Sequence, residues 1–334
     1  MTLDRHIKRQ CLVINYERYK LQYLDFDSFM EDCGMWKRTR GESMTRFAII
    51  TATLLASVST AVAADTPTID KIKERGEIVI GHRPASPPFG YIADNGEITG
   101  YSVEICKYIA QQIKQDLNQP DLLVRFVTVD AANRIPLVQN GTIDMECAGT
   151  GNTVERKKVV SFTYNTIYTA TQILVKKGGP IKSVQDLKGR RVAVPQGTAQ
   201  QKMLDDLDKK LSLGVIPVMA KDAAEEFMLL QTGRAEAAIN GPLELANHIA
   251  KSKDPAGYEY LPDWESPPEQ ISVMIAKGDE EFKKLADKGL KKMMTTGEFT
   301  KNYSHWFEVP PYNLPMPAAL KAQIANPNDK AIGE

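Results

Sequence analysis

"AANRIPLVQNGTIDMECAGTGNTVERKKVV", residues 131–160, is the stretch on which the fold turns. Residues 131–141 carry the apolar spacing of a short helix that stops at Gly141, just past an asparagine. "TIDMECAG" (142–149) is a run of strand type, and "TVERKKVV" (153–160) begins a helical turn. Helix, strand and helix in so short a span mark an α/β unit rather than a bundle or a sandwich.

The same alternation continues on both sides. Upstream, "GEIVIGHR" (76–83) reads as a buried-type strand and "SPPFGYI" (86–92) as a loop. "YSVEICKYIAQQIKQDL" (101–117) is helical, with Val103, Cys106, Ile109, Ala110 and Ile113 on one face, and "LLVRFVTV" (122–129) is a strand. Downstream the pattern restarts. "TQILVKKGG" (171–179) is a strand and turn, "DLKGRRVAVPQG" (186–197) contains a strand, and "TAQQKMLDDLDKKL" (198–211) is a helix. Helix, turn and strand follow in 223–241, a helix in 243–253, a strand in 269–279 and two helical patterns after it. The proline-rich tail from Val309 is expected to drape over the surface. Two successive α/β units and a return segment predict two lobes with mostly parallel sheets. A ligand cleft then belongs between the lobes, at the carboxyl ends of the strands.

The amino-terminal part reads differently. Arg46, the apolar run Phe47–Val58 and the small residues Ala61–Ala64 are the three regions of a signal peptide, 44–64, cleaved near Ala64. The apolar run is too short to span a bilayer, which takes ~20 residues. Residues 1–43 then read as a miscalled beginning upstream of Met44 and are left out of fold reasoning. The cleavage region has no cysteine to carry a lipid, so the expectation is an unanchored periplasmic protein starting at about Asp65. Cys106 and Cys147 remain in it. They can pair in an oxidising compartment, and Cys106 equally suits a buried free thiol on a helix face. A net charge of zero with dispersed basic residues argues against a nucleic-acid partner.

The words "IDKIKERGEIVIGHRPASPPFGY", "GEITGYSVEICKYIA", "NRIPLVQNGTIDMECAGTGNTVERKKVVSFT", "DLKGRRVAVPQGT" and "LLQTGRAEAAING", in that order, resemble periplasmic solute-binding proteins of family 3. These serve ABC importers of polar amino acids, and the similarity is greatest to the family's glutamate/aspartate binders. The resemblance implies a type II periplasmic-binding-protein fold: two α/β lobes joined by a hinge of two crossings. Lobe 1 would hold 65–170 and 273–334, and lobe 2 171–272, with crossings near 170 and 272. It implies a monomer that closes on its ligand and delivers it to an inner-membrane permease, with no cofactor.

The resemblance also assigns candidate ligand-binding residues. Arg83, Arg134 and Arg156 would hold carboxylates, since a planar guanidinium donates two parallel hydrogen bonds that lysine cannot copy. Thr150, Thr198 and Phe89 stand at pocket positions, Phe89 as a stacking surface or as packing. Five positions that carry polar groups in the relatives hold small residues here: Ala131, Gly149, Ala199, Ala223 and Gly241. Of these, Ala223 falls where a histidine senses an acidic side chain. Gly241 falls where an aspartate holds the ligand's ammonium. Gly149, Ala199 and Gly241 keep backbone N–H groups that can meet an anion.

Leaving a buried charge without its partner costs about 3–5 kcal/mol, against about −8 kcal/mol for micromolar binding. Unless Asn240, Glu225, Glu226 or Glu244 supplies a substitute, the site is therefore expected to be wide, apolar and cationic. A carboxylate lacking an α-ammonium would then bind better than an acidic amino acid. An enzyme such as a cyclohexadienyl-dehydratase-like lyase is the rival class. It needs an acid or base in the cleft, and His82, His248 and His305 fall at no expected pocket position.

Overall fold

The computed structural model describes residues 67–331 and Glu334. The expected upstream segment and signal peptide lie outside the described residues. The elements run α1 (Thr68–Arg75), β1 (Glu77–His82), β2 (Ala85–Ser86), β3 (Gly90–Ile92), β4 (Ile98–Thr99), α2 (Tyr101–Asp116), β5 (Leu123–Thr128), α3 (Arg134–Gln139) and β6 (Met145–Glu146). Then come α4 (Val154–Lys157), β7 (Val160–Thr169), β8 (Gln172–Lys176), β9 (Arg191–Pro195), α5 (Ala199–Leu211), β10 (Ile216–Ala220), α6 (Ala223–Gln231) and β11 (Ala237–Asn240). The chain ends with α7 (Pro242–Ala250), β12 (Tyr258–Glu265), β13 (Glu269–Ala276), α8 (Glu280–Thr295), α9 (Glu298–Phe307) and α10 (Ala318–Ala325).

Two five-stranded sheets organise these elements, in the orders β5-β1-β6-β13-β7 and β10-β9-β11-β8-β12. Each is the centre of one α/β lobe. In each sheet four strands run one way, and one, β13 or β8, runs against them and pairs antiparallel with the neighbour on each side. The sheets are thus more mixed than the alternation predicts. Each reversed strand is entered from the other lobe: β7 passes into β8, and β12 into β13. Such strands need no crossover helix, so helix–strand alternation in the sequence is blind to them. The return passage lies at 266–268, some residues before the expected 272, because Glu269 already pairs with Thr169 in the first sheet. The two passages hold each other: Ser266 N donates to Thr171 O (2.9 Å), and Thr171 N donates to Ser266 Oγ (2.8 Å).

The helix α2 covers the first sheet as its spacing demands, with Val103, Cys106, Ile109, Ala110 and Ile113 fully buried. Cys106 is paired with Cys147, just past β6, at a Cα–Cα distance of 6.3 Å. Beneath lies an aromatic cluster in which Tyr101 meets Phe299, Tyr303 and Phe307 of α9. In the second lobe, Val192 and Val194 of β9 with Leu204 and Leu207 of α5 belong to one face's core. Ala193, Phe227 and Leu230 belong to the other. Burial on both faces explains the continuous apolar runs of these strands.

Two loops of the sequence reading are ordered elements. Residues 85–99 form a small antiparallel sheet, β2-β3-β4. The tail is not merely draped. It includes α10, buries Leu320 and Gln323, and its Asp329 and Lys330 carbonyls accept from Asn152 Nδ2 and Asn165 Nδ2.

Candidate functional site

In both sheets the loops that leave the parallel strands at their carboxyl ends turn toward the space between the lobes. Arg83 directly follows β1. Asp130 opens the next loop, where its Oδ1 accepts from the N–H groups of Ala132 and Asn133. That turn starts α3 with Arg134 as its first residue, and Pro136 falls within the first turn, where no N–H is needed. After β6 the chain reaches Gly149 with φ +77°, where a Cβ would lie 2.8 Å from the Phe89 ring. Only glycine lets this loop lie on that ring. Thr153 caps α4 by accepting from Arg156 N (3.2 Å), which sets Arg156 at the rim.

The three arginines converge. Arg134 is almost fully buried. Its Nη1 donates to Thr150 Oγ1 (2.6 Å) and stands 3.7 Å from Glu146 Oε1. Its Nε has no partner, and neither does Nη2 of the buried Arg83. Arg156 Nη1 donates to Gly151 O (2.9 Å), and its Nη2 reaches Gly197 O of the second lobe at 3.5 Å. Burial first, then repulsion by Arg134, lowers Arg83 to about 10 and Arg156 to about 9. Both remain charged at neutral pH, so the wall is cationic and short of acceptors.

The second lobe answers with acids. Glu226 of α6 is fully buried: its Oε2 accepts from Asn240 Nδ2 (2.5 Å) and its Oε1 has no partner. Burial holds its carboxyl well above the usual range, and the charge of Glu244 adds to that. Glu244, in the first turn of α7, is 9% exposed, and its Oε2 has no partner. Burial chiefly, with the charge of Glu269, pushes it up to about 7, while its own backbone N–H and Arg83 oppose. Glu269 sits at the hinge, where its Oε1 accepts from Thr171 Oγ1 (2.5 Å), and Gln200 Nε2 donates to the same hydroxyl (3.2 Å).

The faces meet closely. At Gly197, with φ +73°, a Cβ would lie 2.8 Å from Ala131 O of the other lobe. The space left, lined by Arg83, Arg134, Arg156, Asn240, Glu244 and Glu269 among others, is about 20 Å³, room for one water. A larger groove of about 620 Å³ on α8 is open surface, where Lys283, Lys288 and Lys292 are held by Asp287, Asp116 and Gln112.

The structure brings Arg83, Arg134, Arg156, Gly149, Thr198 and Ala199 together at this space, and Thr150 beneath Arg134. Thr198 spends its hydroxyl locally: it caps α5 by accepting from Gln201 N and donates to Pro195 O. Three expectations differ. Phe89 is 1% exposed and packs beside Phe307 and under Gly149, so it is core rather than a stacking surface. Ala223 is buried and lines no part of the space, and Glu226 one turn later is buried against Asn240. The N–H of Gly241 does not face an anion, for it donates to Asn240 Oδ1 (2.8 Å). Nor is the site wide and apolar, since Glu146, Glu226, Glu244 and Glu269 are buried around the arginines. Sequence reasoning missed Glu269 and Gln200. Their roles depend on the hinge passage, which no local pattern marks. Among the described residues no histidine lines the space. His82 packs on Phe126, and His248 stacks on Phe227.

Comparison with known proteins adds a second line of observation. Residues 78–309 match the bacterial extracellular solute-binding proteins, family 3. The glutamate/aspartate import solute-binding protein of Salmonella typhimurium is 39% identical over 284 residues, 83% of this chain and 94% of its own. The L-glutamate/L-aspartate-binding protein of Pseudomonas aeruginosa is 39% identical over 295 residues, 84% of this chain and 96% of its own. Among solved structures, an ancestral amino acid-binding protein, AncCDT-1, a precursor of cyclohexadienyl dehydratase, superposes with a TM-score of 0.61 at 29% identity. The match covers 72% of this chain and 99% of that one.

Proposed function

The chain belongs to the bacterial extracellular solute-binding proteins of family 3, and from that premise we propose that it captures an acidic amino acid for an ABC importer. In this reading it works in the periplasm as a monomer and hands the ligand to a membrane permease. The convergence of Arg83, Arg134 and Arg156 carries the proposal. Two of these buried guanidiniums have donors without acceptors, which is the condition that a carboxylate relieves. Arg134 would grip the α-carboxylate with Thr150 beneath it, and Arg83 and Arg156 would face the second carboxylate. The backbone of Gly149, Thr198 and Ala199 would frame the ligand.

A space of about 20 Å³ cannot admit an amino acid. Entry therefore needs the lobes to part at 170–171 and 266–268, and the ligand, by bridging the faces, draws them shut again. Binding rather than turnover is the reading that the relatives support, since they are import binding proteins. Titration calorimetry with L-glutamate, L-aspartate, L-glutamine and L-arginine tests the reading. Micromolar or tighter binding of an acidic amino acid, unaltered on recovery, is expected. Tighter binding of a neutral or cationic one, or conversion of the bound acid, would overturn it.

A further inference from the structure

Position 241 has no side chain, yet the volume above it is filled. A Cβ built on Gly241 would lie 2.1 Å from Glu244 Oε2 and 2.9 Å from Glu244 Cδ. The carboxylate of Glu244 therefore lies where a side chain at 241 would begin. The two positions are three apart at the start of one helix, and such a pair shares a face. Glutamate is long enough to fold back over the residue that caps the helix, as it does in a capping box. Here the cap is glycine and the next residue is Pro242, which has no N–H to offer.

The rival groups are committed elsewhere. Asn240 donates to Glu226 and accepts from Gly241 N. Glu225 Oε2 accepts from Lys221 N (2.9 Å) in the first turn of α6. Asp222 Oδ1 accepts from Glu225 N (2.9 Å). Glu269 is bonded to Thr171 at the hinge. Glu226 has a free oxygen but does not line the space between the lobes. Glu244 alone on the second lobe combines a carboxylate at that space, near-complete burial and an oxygen with no partner. It also faces the charge of Arg83 from the opposite lobe.

We propose that Glu244 receives the ligand's α-ammonium, replacing from one helical turn further on the carboxylate that position 241 lacks. Glu226 stands behind it, one turn after Ala223 on α6, and its proximity keeps the pair from holding two full negative charges without a cation between them. A zwitterion thus bridges the lobes with its carboxylate on the arginines and its ammonium on Glu244. The proposal rests on the reading of the ligand as an amino acid. It reverses the expectation that an ammonium-free acid binds best.

Two probe pairs separate the layers of this argument: L-glutamate with glutarate, and L-glutamine with glutaramate. Each pair differs only in the α-ammonium. In the unaltered protein the amino acid should bind the more tightly. Glu244→Gln keeps the shape and the helix start but removes the charge. It should weaken the amino acid by about 100-fold or more while leaving the ammonium-free partner unchanged or improved. Gly241→Asp alone should weaken the amino acid, because its side chain meets the Glu244 carboxylate. Combined with Glu244→Leu it should restore most of the affinity. If Glu244→Gln lowers both members of a pair equally, or neither, Glu244 only caps α7 and the proposal fails. Binding of the glutamine pair but not the glutamate pair would overturn the acidic-side-chain reading and leave Glu244 tested by the former. Tighter binding of the ammonium-free acid in the unaltered protein would overturn both.

Discussion

The two faces that close on the site are built in opposite ways. On the first lobe the arginines stand on the loops beyond the strands' carboxyl ends, and two are braced from their own lobe: Arg134 by Thr150 and Glu146, Arg156 by Gly151. On the second lobe the expected positions hold Ala199, Ala223 and Gly241, and the charge is supplied from one turn on. Glu226 follows Ala223 by three residues, and Glu244 follows Gly241 by three. A residue three along a helix projects from the same side. At the space between the lobes the second face carries its charge on Glu244, one turn beyond Gly241.

The comparison breaks first at Arg134. If the first face is braced as described, Arg134→Ala does two kinds of damage. It removes the carboxylate's grip, costing at least ~3 kcal/mol of ligand binding by calorimetry. It also strands the fully buried Glu146, which should cost about 3–5 kcal/mol of stability in urea unfolding. Adding Glu146→Gln should recover the stability and none of the binding. Recovery of both would mean that Arg134 serves the fold alone.

This asymmetry also explains what could be read in advance. The α2 stripe from Val103 to Ile113, the strand 76–83 and the arginine-bearing turns were legible because each is a local pattern of period, cap or turn residue. The strands β7, β10 and β12 were not: β10 and β12 leave much of their length exposed, and β7 and β12 carry the chain out of their lobes with no crossover helix. The first face of the site was legible because its residues stay where the motif puts them. The second was half legible. Glu226 and Glu244 could be named as substitutes, but choosing between them needed the partners of Asn240, Glu225 and Asp222. Those partners are tertiary facts. Phe89 shows the converse, an aromatic in a motif loop whose role the packing under Gly149 decides.

A smaller effect sharpens the comparison through pH. Glu244 is raised in the folded protein from 4.5 to about 7, by burial first and then by Glu269, against Arg83. Tyr260 and Tyr312 also feel its charge, and burial holds both phenols high and neutral here. A carboxyl raised by folding lets the folded state keep its proton after the unfolded chain has lost it. Its contribution to stability is therefore intact below about pH 4.5 and is lost as pH rises to about 7. The loss is about 3 kcal/mol for a shift of this size. Glu244→Gln should be relatively more stable at pH 8 than at pH 4.5 by that order, as read by chemical unfolding at both pH values. An amino acid with affinity for the site should oppose the loss in the unaltered protein by supplying the counter-charge. Equal pH profiles for Glu244→Gln and the unaltered protein would show that Glu244 is solvated rather than held at the closed site.

The smallest expected effect tests whether the faces meet as they do here. Gly197 leaves the second lobe's strand β9 with φ +73°, and its Cα lies against the Ala131 carbonyl of the first lobe. An alanine there carries two separate costs. The left-handed backbone costs about 1 kcal/mol in any arrangement of the lobes, and so lowers stability without touching affinity. The clash of its Cβ with Ala131 O, 2.8 Å away, exists only when the lobes are closed. Overpacking of this kind costs about 1–3 kcal/mol, and it falls on closure alone. Gly197→Ala should therefore weaken ligand binding by about ten-fold in calorimetry and shift small-angle scattering toward the open form. Arg83, Arg134 and Glu244 would be untouched by the change. Affinity would fall because the walls no longer meet, with each wall intact. Unchanged affinity, alongside the expected small drop in stability, would mean that the liganded lobes stop short of the contact seen at Gly197.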